Sequence, residues 1–132
     1  MDTHDCYVPM LVKVSQDESD EAIKGMVNEL VSVGLDGMIL TNTTLSRSGF
    51  QGTRYERELG GVSGDPLTLR AMQCLKQAKS VAGDDLVLVA SGGITTPDEA
   101  AARIAAGASL VQLYTGLIYQ GPQLVSEITK RL

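Results

Sequence analysis

Cysteine is scarce in this 132-residue chain, which has only Cys6 and Cys74. The two stand far apart and match no metal-ligand spacing, so neither a disulfide scaffold nor a thiolate metal site is indicated. Two reduced thiols in a cytoplasmic protein are expected instead. Histidine is scarcer still, with His4 alone, ahead of the first apolar run. No Ser-His-Asp triad can be assembled around it and no cluster has metal-ligand spacing, so it reads as a surface residue. Positive charge is also short: 11 Lys and Arg face 16 Asp and Glu, for a net charge of −5. That leaves no basic stripe to neutralise the phosphates of a nucleic acid. No apolar run approaches the roughly 20 residues of a membrane span, and the acidic start, Met1-Asp2-Thr3-His4-Asp5, is unlike a secretory leader. The glycine fingerprint of a dinucleotide fold and the P-loop are both missing. With 43% of residues hydrophobic and 20% charged, an ordinary globular core is available. The length suits one domain, residues 1–132.

What is present is a fourfold alternation of short apolar runs and helical periodicity. The first run, residues 8–14, is continuous, the pattern of a parallel strand buried on both faces. A helix is expected next, with Ser19 at its N-cap and Ile23, Met26, Val27, Leu30 and Val31 at helical spacing. The second run, residues 38–40, ends in Thr41-Asn42-Thr43-Thr44. Residues 45–64 then form a loop without periodicity of its own, expected to be functional or mobile. Asp65 as N-cap and Pro66 as first helical residue open a helix whose stripe is Leu67, Ala71, Leu75, Ala78 and Ala82. The third strand, residues 86–90, runs into Ser91-Gly92-Gly93-Ile94, and its helix starts with a capping box, Thr96 and Glu99. The fourth strand, residues 110–114, leads through Thr115-Gly116 to a short turn of helix at 117–119. Gly121-Pro122 then starts a last helix bearing Leu124, Val125, Ile128 and Leu132. Such a series predicts an α/β protein with a parallel sheet and right-handed crossovers.

In that sheet the strand tips Lys13, Thr41-Asn42-Thr43, Gly92-Gly93 and Tyr114-Thr115 share one edge, where barrels and open sheets alike build their sites. Gly92-Gly93 lets backbone approach a ligand and turns N–H groups toward an anion, unless the pair merely makes a tight turn. Thr115-Gly116 adds a hydroxyl ahead of a short helix, and late loops with such a helix form the phosphate site of (β/α)8 barrels. Lys13 is either a lysine reaching for solvent or a fixed cation facing an electron-rich ring or a carboxylate. Thr41 to Thr44 suit a ligand with both donors and acceptors. Arg54, Glu56, Arg57 and Glu58 read as a solvated stretch of the long loop.

Taken in order, several stretches resemble the C-terminal half of the quinone-dependent dihydroorotate dehydrogenases. They are VKV at 12–14, TNTTLSR at 41–47, QG at 51–52, GGVSGDPL at 60–67, SGGI at 91–94 and GASLVQLYTGLIYQGP at 107–122. The resemblance implies the parallel (βα)4 half of a (β/α)8 TIM barrel of the FMN-linked oxidoreductase type. It also implies oxidation of dihydroorotate to orotate in pyrimidine biosynthesis, with FMN as cofactor and a quinone as acceptor. By similarity Lys13 would contact the flavin ring, Thr41 and Gly64 would touch FMN, and Asn42 and Thr43 would bond orotate. Gly93, Tyr114 and Thr115, with Gly92 beside them, would hold the phosphate. The family's catalytic serine precedes the lysine strand and has no counterpart here, so no catalytic residue and no metal is assigned. The first half of the barrel and the helices that meet quinone and membrane also lack counterparts. A fragment is therefore expected, inactive alone, from a parent held peripherally at a membrane. Its open strand edges and apolar inner face predict a homodimer or larger homo-oligomer. The alternatives are a non-catalytic half-barrel assembly module and a fragment of another phosphate-binding barrel enzyme.

Overall fold

The computed structural model describes residues 7–132, and the readings of His4 and Cys6 fall outside the described residues. Strands and helices alternate as β1 (Leu11–Val14), α1 (Asp20–Ser32), β2 (Gly37–Leu40), α2 (Thr68–Ala82), β3 (Val87–Ser91) and α3 (Pro97–Ala105). They are followed by β4 (Leu110–Gln112), α4 (Thr115–Gln120) and α5 (Gln123–Arg131). The strands form one parallel sheet in the order β1-β2-β3-β4. Sequential order means each right-handed crossover advances in the same direction and lays its helix on the same face. A doubly wound sheet would reverse direction at a switch point. The architecture is thus the (βα)4 half of a barrel.

The helix-covered face holds the core. Met38, Leu40, Leu88 and Ala90 of the sheet pack against Ile23 and Val27 of α1, and against Cys74, Leu75 and Ala78 of α2. Leu67, Ala71, Leu75, Ala78 and Ala82, the stripe expected from spacing, are all buried. On the other face the register lines up Lys13, Ile39, Val89 and Leu110 across the strands. This inner face is partly open: Val87 is 41% and Leu110 58% exposed. No helix among the described residues is long and apolar enough to cross a membrane.

Local signals set most boundaries. The Ser19 hydroxyl accepts from Ala22 N at 3.1 Å and starts α1. Thr96 and Glu99 complete their capping box at the start of α3. Other boundaries differ from expectation. β1 begins at Leu11 rather than 8, because its only neighbour, β2, begins at Gly37, the partner of Leu11. Val8 and Met10 stay exposed, with Met10 N held by the Asp36 carboxylate at 2.6 Å. Asp65 does not cap α2. Residues Asp65–Leu67 form a 3-10 turn without a side-chain cap, and α2 proper begins at Thr68. β4 stops at Gln112, before 114, since β3 offers no partner beyond Ser91.

The long loop is more ordered than its composition predicts. Thr44 and Val62 form an antiparallel bridge, with N···O distances of 3.2 and 2.8 Å. The Arg47 guanidinium donates to the carbonyls of Glu58 (2.7 Å) and Gly60 (2.6 Å), closing the stem from inside. Asp17, after β1, accepts from the Thr44 hydroxyl and from Leu45 N, the latter at 2.8 Å. Arg54, Glu56, Arg57 and Glu58 lie on the exposed tip, as expected.

Candidate functional site

The strand tips meet in one cleft of about 270 Å³. Lys13, Thr41, Asn42, Thr43, Gly64, Gly92, Gly93, Tyr114 and Thr115 all line it, whereas Thr44, also singled out from the sequence, lies outside it with its hydroxyl on Asp17. Backbone bonds to neighbouring strands fix the second tip: Thr41 N donates to Ser91 O at 2.7 Å, and Asn42 N to Val14 O at 2.9 Å. With their main chain held, the exposed side chains of Asn42 and Thr43 are free to meet a ligand. Thr41 is buried, and its Oγ1 finds no hydrogen-bond partner among the described residues. A buried hydroxyl left unpaired is costly, and a ligand group in the cleft would relieve it.

The third tip is a tight turn with consecutive positive φ, +98° at Gly92 and +70° at Gly93. A side chain at Gly93 would strike Thr68, whose backbone N lies 2.5 Å from the ideal Cβ position. The Thr68 hydroxyl donates to Gly93 O at 2.9 Å, tying the turn to the start of α2. The fourth tip closes the cleft from the other side. The Thr115 hydroxyl donates to Ser63 at 2.9 Å, and a Cβ on Gly64 would sit 3.0 Å from the Thr115 methyl. The end of the long loop is thereby stitched to the fourth strand. α4 has only six residues, so the anion chemistry at this tip lies with the Thr115 hydroxyl rather than with a helix end.

In charge the cleft is unlike the rest of the protein. The chain is acidic, but Lys13 is the one charged side chain among the lining residues, and none of them is a carboxylate or a histidine. The cleft therefore offers a cation, hydroxyls, amides and backbone N–H groups, a set suited to an electron-rich or anionic ligand.

Sequence reasoning missed four contributors. Ser91 and Gln112, paired in register on β3 and β4, also line the cleft, and Ser63 does so beside Thr115. The signal for Gln112 was available, as a polar residue inside the apolar run LVQLY. The fourth is Arg103, only 1% exposed on α3, whose Nη2 donates to Thr68 O (2.8 Å) and Gly92 O (3.1 Å).

Comparison with known proteins agrees with this geometry. The family model for dihydroorotate dehydrogenase matches residues 3–132. A Legionella pneumophila (strain Corby) protein named dihydroorotate dehydrogenase (quinone) is 42% identical over 131 residues, 99% of this chain and 39% of the relative. A protein of the same name from Janthinobacterium sp. (strain Marseille) is 45% identical, over 99% of this chain and 38% of its own length. The chain thus spans about two fifths of the curated relatives it matches. Among solved structures, the Eimeria tenella DHODH in complex with ferulenol superimposes with a TM-score of 0.87 at 35% identity. That match covers 93% of this chain and 33% of the other. Sequence, fold and the convergence of the strand tips agree: the chain belongs to the dihydroorotate dehydrogenase family.

Proposed function

We propose that this chain is the flavin- and orotate-binding half of a dihydroorotate dehydrogenase that uses FMN as cofactor and a quinone as acceptor. The observation that carries the reading is the Thr41 hydroxyl, buried and unpaired in a cleft where Lys13, the glycine turn and Thr115 also converge. When bound, FMN supplies a ring that accepts a hydride. The residues present fit such a group. Gly92, Gly93, Tyr114 and Thr115 would hold the phosphate by backbone N–H and hydroxyl, and Thr41 and Gly64 would flank the ring. Lys13 would present a fixed positive charge to the ring and favour an electron-rich form of it. Asn42 and Thr43 would orient orotate, or dihydroorotate, by matching its alternating donors and acceptors. The proton-accepting serine that the resemblance implies is assigned to the part of the relatives' length that this chain does not span.

The exposed inner face, with Val87 and Leu110, and the unpaired outer edges of β1 and β4 support self-association of the half barrel. Light scattering should give a dimer or larger particle, and a monodisperse monomer would refute this.

The deciding experiment is an FMN titration of the chain followed by flavin fluorescence, repeated with orotate present. Saturable one-to-one quenching that orotate tightens is the expected result. A linear, unsaturated response with and without orotate would refute the assignment of flavin binding to this half.

A further inference from the structure

We propose that Arg103 is a positioning residue for the glycine turn: its buried guanidinium aims two backbone N–H groups at the anion and places a positive charge behind them. The inference rests on the phosphate site proposed above and names the residue that organises it.

The geometry runs from α3 to the turn. One nitrogen of Arg103, Nη2, holds Gly92 O at 3.1 Å and Thr68 O at 2.8 Å. Thr68 in turn donates its hydroxyl to Gly93 O at 2.9 Å. Both carbonyls of the turn are therefore pulled back toward α2 and α3. In a trans peptide the N–H points opposite to the C=O of the same plane. Pulling back the Gly92 and Gly93 carbonyls thus turns the N–H groups of Gly93 and Ile94 away from the helices, toward the cleft that both residues line. Among the described residues neither N–H has an acceptor. Successive N–H groups presented in this way form an anion-binding concavity.

The charge of Arg103 acts beside its hydrogen bonds. Arg103 is fully enclosed, and its Nη1 has no partner among the described residues. No ion pair among the described residues includes it. Glu99, one turn earlier on the same helix, offsets part of its charge through space while its carboxylate accepts from Thr95 N and Thr96 N. A guanidinium cannot shed its proton, so it stays cationic despite burial. Enclosing a cation without a direct ion pair is unfavourable, and an anion seated on the Gly93 and Ile94 N–H groups would add compensating negative charge.

The test compares FMN with riboflavin, which lacks the phosphate, on the native chain and on Arg103→Gln and Arg103→Lys. The native chain should prefer FMN. In Arg103→Gln, FMN binding should weaken about tenfold while riboflavin binding is unchanged, and Arg103→Lys should recover part of the loss. A merely structural arginine would change both flavins alike or neither, and either pattern would overturn the proposal. A native chain that binds flavin without preferring FMN would refute the phosphate site itself, and the role of Arg103 with it. Circular dichroism checks that the variants fold. If neither does, inorganic phosphate is titrated into the 15N-labelled native chain. Joint shifts of the Gly93 and Ile94 amides and the Arg103 Nε–H support the proposal, and silence at all three overturns it.

Discussion

Gly93 and Gly34 have nearly the same positive φ, +70° and +71°, in very different surroundings. Nothing lies within 4 Å of a Cβ built on Gly34, whereas one on Gly93 meets Thr68 Oγ1 at 2.4 Å and Thr68 Cα and N at 2.5 Å. Gly34→Ala should therefore cost only the left-handed conformation, about 1–2 kcal/mol. Gly93→Ala has the same cost and must also push the start of α2 away. That shift strains the packing by about 1–3 kcal/mol and loses the Thr68–Gly93 hydrogen bond, about 1 kcal/mol more. The sum, roughly 3–6 kcal/mol, is a large part of the 5–15 kcal/mol usual for a domain. Urea unfolding followed by circular dichroism measures both. With a urea slope of about 1–3 kcal/mol per molar, the Gly93→Ala midpoint should fall below that of Gly34→Ala by about 1 M or more. Midpoints that coincide would refute the close approach of the glycine turn to α2.

Further outcomes follow from single contacts. The Asp20 carboxyl is held below its usual value chiefly by its hydrogen bond from Arg70. Its contribution is complete above the ordinary value of 3.8 and disappears as pH falls through the lowered folded value. Acid unfolding below about pH 4 should therefore be shallower in Asp20→Asn, and an unchanged slope would refute this. Thr96→Ala removes half of a capping box and should cost about 1 kcal/mol, whereas Thr95→Ala should cost less. Lys13→Ala, at an exposed strand tip, should change stability by no more than about 0.5 kcal/mol while weakening flavin binding; a larger loss of stability with flavin affinity unchanged would make the lysine structural. Burial pushes the Cys74 thiol up. Mass spectrometry should find Cys74 unlabelled by alkylating reagents at pH 8 in the native chain and labelled in urea, and rapid native labelling would contradict the packing.

The site was legible because its main residues sit at ends of periodic segments. Once the segments read as parallel strands, Lys13, Thr41, Gly92 and Thr115 had to share an edge, whatever the strand lengths. Arg103 was invisible for the opposite reason. An arginine among alanines in a helix reads as a solvated face, and only packing reveals that it turns inward onto carbonyls from two other segments. The loop misled similarly, since the partners that order it, Arg47 with Glu58 and Gly60, are eleven and thirteen residues apart and leave no periodic trace. Asp65 has the right residue type for a cap, but the chain passes first through a 3-10 turn that buries Leu67.

The clamp at Arg47 also separates tolerance from constraint along the loop. Below it, the Thr44–Val62 bridge and the Asp17 anchor fix where Thr43 and Gly64 arrive at the cleft. Above it, residues 51–58 are exposed and bond mainly among themselves. Doubling the length of a flexible segment whose ends are already pinned costs only about 0.6 kcal/mol. An affinity tag or a spectroscopic label grafted between Thr53 and Arg57 would therefore move through solvent while both ends of the loop stayed in register with the strand tips.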